Sequence, residues 1–154
     1  MQRRVFSLIL FICMSVGMFA QQTESKPITW SVNVKMTSEK EGVVIMKAHM
    51  LPGWHLYGFD LPEGGPKSTT IDLSASKGVK FIDAVTPDRK PIKLHDAMFD
   101  VDLTMWEGTI AFRRKFKVLD MSKAVIAGTI NYMGCNDQTC LPPQSEKISK
   151  PIKK

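Results

Sequence analysis

The sequence predicts an all-β protein built as an antiparallel β-sandwich. Three observations carry that prediction. Apolar residues recur with a period of two: Ile28, Trp30, Val32, Val34 and Met36 alternate with Thr29, Ser31, Asn33 and Lys35. Turn-forming residues return every eight to twelve positions. No stretch of ten or more residues shows an apolar stripe at helical spacing. The pattern predicts seven to nine short strands. Strands with one apolar face each are buried by packing two sheets face to face.

The first element is the alternating run at 28–36. A second strand carries Val44, Met46, Ala48 and Met50, after a turn expected at Glu41-Gly42. Pro52-Gly53 bends the chain, and 54–59 predicts a short strand. Residues 61–66, Leu-Pro-Glu-Gly-Gly-Pro, form a loop dense in turn residues. Strands follow at 69–73 and 79–84, around a turn at Ser76-Lys77-Gly78. The segment 87–93 is polar and predicts a connection, and 99–106 has a mixed pattern. The strand at 109–118 places Ile110, Phe112, Phe116 and Val118 on one face. Arg114 interrupts that face and points to a position near a sheet edge. A β-rich run spans 124–133, and Ile148 falls in a last, weakly marked strand. There is no internal repeat.

The N-terminus has a different character. Arg3 and Arg4 precede a run of 16 uncharged residues, 5–20, with Leu8, Ile9, Leu10, Phe11 and Ile12 at its centre. The run closes on Gly17-Met18-Phe19-Ala20, and polar Gln21-Gln22 follows. This is the pattern of an export signal cut after Ala20. A retained membrane helix needs about 20 apolar residues. Ile12 before Cys13 does not suit a lipoprotein signal, which puts a small residue there. The domain reading is therefore a signal at 1–20 and one sandwich domain at 21–154. Cleavage would leave 134 of the 154 residues and lower the formal charge from +6 to +4. It would also remove Cys13, so that Cys135 and Cys140 remain as a pair in an oxidising compartment.

The positive charge gathers at Arg89, Lys90 and Lys93, at Arg113, Arg114, Lys115 and Lys117, and in the tail at Lys147, Lys150, Lys153 and Lys154. Acids are scattered among these residues, and the tail lacks the interleaved aromatics of a nucleic-acid stacking surface. No nucleic-acid partner is expected. The length excludes an enzyme with separate cofactor and substrate domains.

Cys135-Asn136-Asp137-Gln138-Thr139-Cys140 holds four residues between its sulfurs and runs into Leu141-Pro142-Pro143. Three readings stand side by side. As a structural staple, the bridge closes a loop of about six residues, worth roughly 2 kcal/mol. As a metal site, two thiolates are half a tetrahedral set, but His49, His55 and His95 lack ligand spacing to the pair. Met36, Met46 and Met50 lie on strand core faces, where methionine is ordinary packing. As a redox pair, a short bridge beside a proline-stiffened segment is open to attack by a partner's thiolate. The pair is not a C-x-x-C on a helix, so no helix dipole lowers a thiol pKa. Asp137, if close, would raise one.

The segment Tyr132-Met133-Gly134-Cys135-Asn136-Asp137-Gln138-Thr139-Cys140-Leu141-Pro142-Pro143 resembles the cysteine signature of the N-terminal periplasmic domain of the DsbD thiol:disulfide interchange protein family. Pro52-Gly53-Trp54-His55-Leu56-Tyr57 is similar to that family's early aromatic strand. Pro62-Glu63-Gly64-Gly65-Pro66, with 69–71, is similar to the loop and strand after it. The resemblance covers nearly all of 27–150. It implies an immunoglobulin-like sandwich whose cysteine pair is redox-active, with Cys140 as the interchange sulfur and Cys135 as the resolving one. It implies a cap loop whose phenylalanine is Phe99, and site positions at His55 and Tyr57. The best-known members carry two acids just before the cap phenylalanine. Here Ala97 and Met98 stand there, with Asp96 one step earlier. The cysteine spacing is also one residue shorter than in those members.

The resemblance further implies thioredoxin-like periplasmic partners and a membrane-embedded electron carrier of the DsbD type; no cofactor is expected, and no metal, since ligand spacing to the cysteines is missing. The family's full-length proteins continue into that carrier, so this chain is expected to be a stand-alone form. The rival expectation is an exported binding module in which Cys135–Cys140 merely fastens a loop.

Overall fold

A computed structural model describes residues 26–97 and 100–153. The expected export signal and Phe99 lie outside the described residues. Among the described residues, twelve strands form three sheets, and every strand pairing is antiparallel. The first sheet runs β1 (Ile28–Met36), β2 (Glu41–Met50), β9 (Thr109–Val118), β5 (Val79–Phe81), and β6 (Thr86–Pro87) also pairs with β9. The second runs β12 (Gln144–Pro151), β10 (Val125–Tyr132), β4 (Thr70–Asp72). The third runs β11 (Gly134–Cys135), β3 (His55–Tyr57), β8 (Val101–Glu107), β7 (Ile92–Asp96).

The period of two decides which residues meet. On β2, Val44, Met46, Ala48 and Met50 are buried while Lys47 and His49 face water. On β9, Ile110, Phe112, Phe116 and Val118 turn inward as the alternation predicts. They share one apolar core with Ile126 and Ile130 of β10 and Ile148 of β12, so the first two sheets close as a sandwich. Removing such side chains from water is the main favourable contribution to the fold.

Phe112 joins the third sheet to that core. Its ring lies 5.1 Å from Trp106 of β8, 5.3 Å from Phe59 and 5.8 Å from Trp30 of β1. Trp106 is paired with Leu56 of β3, and both are buried in the main core. Successive side chains of a strand point to opposite faces. His55 and Tyr57 therefore lie on the face of the third sheet turned away from Leu56. The core fixes one side of this sheet and leaves the other for a separate cluster.

Three local expectations need correction. The turn expected at Glu41-Gly42 falls earlier, in the bend between β1 and β2, and both residues are in β2. Gly42 is a strand residue because its neighbours leave no room for a side chain: an added Cβ would sit 2.9 Å from the Lys35 carbonyl oxygen and 2.5 Å from the Phe116 ring. The strands expected on either side of Ser76-Lys77-Gly78 are present as β4 and β5. β4 joins the second sheet and β5 the first, so this turn carries the chain between layers. Gly78 serves it with a φ of 67°.

The polar connection expected at 87–93 ends instead in β7, which begins at Ile92. β7 is an edge strand with exposed residues, and it carries too little apolar alternation to be marked in sequence. Finally, β9 is not an edge strand, since β2 flanks it on one side and β5 and β6 on the other. Arg114 is tolerated because its guanidinium lies 4.4 Å over the Phe81 ring and its Nε donates to the Asp83 carbonyl at 2.7 Å. The strands beyond the seven to nine expected include β6 and β11, each two residues long and too short to show a period.

Candidate functional site

Cys135 and Cys140 are joined in a disulfide with their Cα atoms 4.0 Å apart. The chain between them is a tight hairpin, with the two cysteines facing each other across an antiparallel bridge. The Asn136 N–H donates to the Thr139 carbonyl at 2.9 Å, and the Leu141 N–H donates to the Gly134 carbonyl at 2.9 Å. The Asn136 side-chain oxygen accepts from the N–H groups of Gln138, at 2.9 Å, and Thr139, at 2.8 Å. Asparagine suits this place because its short amide can satisfy the turn's own backbone. The loop thus has hydrogen bonds of its own beside the sulfur–sulfur bond.

The two sulfurs have unequal surroundings. Cys135 is 2% exposed, whereas Cys140 is only partly buried. Both belong to a small apolar cluster with Tyr57, Leu103, Leu61, Val101 and Met133, apart from the main core. β11 is laid against β3, with Cys135 opposite His55 and Gly134 opposite Leu56. Gly134 must be glycine for that approach. A Cβ there would run into the Ile28 side chain and sit 2.7 Å from the His55 carbonyl oxygen.

β3 and β7 supply the polar groups. The Tyr57 hydroxyl donates to an Asp96 carboxylate oxygen at 3.2 Å. Burial, with the Asp96 charge and this hydrogen bond adding to it, pushes the Tyr57 phenol far above its ordinary pKa. It therefore stays a neutral donor. The His55 ring meets the Tyr57 ring edge-on, with centroids 5.0 Å apart. Burial holds the His55 imidazole below its ordinary pKa, against the opposing pull of Asp96, Glu107 and Asp137. Its Nε2 is buried and has no hydrogen-bond partner among the described residues.

The expected cap segment lies between β7 and β8, where Asp96 pairs with Val101. Phe99 is outside the described residues. Asp100, beyond it, has a φ of 55°. His95 lies 3.3 Å from the Asp100 carboxylate and 3.1 Å from that of Asp102, which fastens the exposed side of this hairpin. Exposed side-chain contacts of this kind contribute little to stability.

The structure thus brings Cys135, Cys140, His55, Tyr57 and Asp96 to one face of the third sheet. It adds Glu107, which pairs with His55 on the side away from Cys135, and the apolar Leu103 and Met133. Met133 lies within the cysteine signature, but Glu107 and Leu103 carried no local sequence signal, since strand register and not spacing brings them in. Among the described residues, no group of three or more His, Cys, Asp or Glu side chains is placed to hold a metal ion.

Residues 23–151 match the family model described as the N-terminal part of the thiol:disulfide interchange protein DsbD. Among curated proteins, none matches the chain. Among solved structures, the chain is similar to the N-terminal periplasmic domain of ScsB from Proteus mirabilis, with a TM-score of 0.57 and 12% sequence identity. That likeness covers 84% of this chain and 48% of the ScsB chain, so this chain spans about half the length of the structure it matches. At such identity the likeness concerns the fold, an immunoglobulin-like β-sandwich. With the family model spanning most of its length, the chain belongs to the DsbD N-terminal domain family.

Proposed function

We propose that this chain carries out thiol–disulfide interchange in the periplasm, through Cys135 and Cys140. The observation that carries the reading is the asymmetry of the bond: a partly exposed Cys140 joined to a nearly inaccessible Cys135, in a chain of this family. Exchange proceeds by attack of a thiolate on an accessible sulfur, with the other sulfur leaving. A partner's thiolate reaches Cys140, the Cys135–Cys140 bond breaks, and Cys135 leaves with the electron pair and takes up a proton. A second partner thiol then attacks the mixed disulfide and frees Cys140. In the opposite direction, reduced Cys140 attacks an oxidised partner, and Cys135 resolves the mixed disulfide.

Reducing equivalents would arrive from a membrane reductase system of the DsbD type and leave toward oxidised thioredoxin-like proteins. The export pattern at 1–20 and the family membership support this location and these partners. The alternative of a structural fastener is weakened by the loop itself. A bridge closing about six residues stabilises a fold by roughly 2 kcal/mol, and the hairpin already has its own hydrogen bonds.

Trapping tests the assigned roles. Cys135→Ala leaves Cys140 free to form a mixed disulfide that nothing resolves, so this variant accumulates the covalent complex with a thioredoxin-like protein. Accumulation by Cys140→Ala alone would reverse the two roles.

A further inference from the structure

His55 has features that sheet packing does not require. It stands directly across the β3–β11 ladder from Cys135. Residues opposed in this way put their side chains on the same face of the sheet, with Cβ atoms about 5 Å apart. The His55 Nε2 is buried without a hydrogen-bond partner among the described residues, although a buried polar atom is ordinarily satisfied. Cys135, at 2% exposure, has little access to water as a proton acceptor.

We infer that His55 takes the proton from Cys135 when this thiol resolves the mixed disulfide on Cys140. The inference rests on the interchange reading above. Cys135 Sγ–H gives its proton to His55 Nε2, and the sulfur's electron pair forms the bond to Cys140 Sγ. The bond between Cys140 and the partner breaks, and the partner leaves as a thiolate carrying the electron pair. Two electrons have then passed to the partner, and the imidazolium loses its proton to solvent. In the opposite direction the same nitrogen returns a proton to Cys135 as it leaves.

The charged and titratable groups around the ring fit this use. Asp96 of β7, Glu107 of β8 and Asp137 of the cysteine loop all favour the imidazolium once it forms. Tyr57, on the ring's own strand, presents a neutral phenol held to Asp96. Burial favours the neutral imidazole at rest, the form able to accept a proton.

The test uses reduced protein and oxidised glutathione, with acid quenching and mass spectrometry to follow formation and loss of the glutathione mixed disulfide. General-base assistance is typically worth 10²–10⁴-fold. His55→Gln is expected to slow resolution by at least about tenfold at neutral pH. Its resolution rate then rises with pH as the unaided thiol ionises, while the initial attack by Cys140 is nearly unchanged. Matching resolution rates and pH profiles in wild type and His55→Gln would overturn the assignment and leave interchange standing. A wild type that forms no mixed disulfide would overturn both. Should the variant not fold, NMR titration of His55 in the wild-type protein decides. The inference expects the His55 midpoint to differ between oxidised and reduced protein, and identical midpoints would overturn it.

Discussion

The Tyr57 hydroxyl donates a 3.2 Å hydrogen bond to the Asp96 carboxylate, tying the strand that flanks the disulfide to the last residue of β7. This contact links the aromatic strand of the site to the base of the β7–β8 hairpin, which holds the segment expected to act as a cap. Tyr57→Phe keeps the ring and removes the link. Its expected cost is about 1 kcal/mol in urea unfolding, with faster attack of small thiols on the disulfide. An unchanged attack rate would mean that the link does not steady the cap segment.

On the family resemblance, Phe99 is proposed as the residue that caps Cys135–Cys140. Phe99→Ala is then expected to speed reduction of the bond by dithiothreitol several-fold, with little change in the unfolding midpoint. Equal reduction rates would remove Phe99 from the site.

Two buried phenols give the stability a defined dependence on alkaline pH. Tyr132 is pushed up to about 12 by burial first and by Glu146 second, and Tyr57 is raised further still. Above the unfolded value of 10.0, the unfolded chain loses these protons while the folded chain keeps them. The unfolded state then binds fewer protons, so stability falls as pH rises. The contribution is fully present below pH 10 and is lost through the folded values above it. Urea midpoints of the oxidised protein are expected to fall across that range, and less steeply in a Tyr57→Phe, Tyr132→Phe double variant. Parallel profiles would contradict the burial of both hydroxyls.

Gly134 permits the close approach of β11 to β3. An added methyl group meets the Ile28 side chain and the His55 carbonyl, so Gly134→Ala must displace one strand or the other. The expected loss is roughly 1–3 kcal/mol, together with altered NMR shifts at both His55 and Cys135. A variant as stable as wild type would show that this strand pairing is looser than described.

Much of the fold was legible because burial on one face writes a period of two into the chain. The strand at 109–118 was readable to its ends, since its inward residues are large and apolar. β7 was not readable. It lies at the edge of the third sheet and keeps only partial burial at Leu94 and Asp96. The site was legible where it is written locally, in the cysteine spacing and its prolines, and in the aromatic strand that matches the family. Its electrostatics were not. Glu107 faces His55, and Asp96 meets Tyr57 from 39 residues away, only because of the register of β3, β7 and β8. The misplaced turn at Glu41-Gly42 has a similar cause. Glycine usually signals a turn, but Gly42 is demanded by the Phe116 ring lying over it in the folded sheet.

Whether Cys135–Cys140 exchanges electrons or merely fastens a loop is decided most directly by its reduction potential. The measurement is a glutathione redox titration of the purified protein, read by alkylation of the free thiols. Interchange predicts reversible reduction within the range glutathione can reach, at a potential above about −300 mV. A bond that stays oxidised throughout that range is a structural one and would contradict the account.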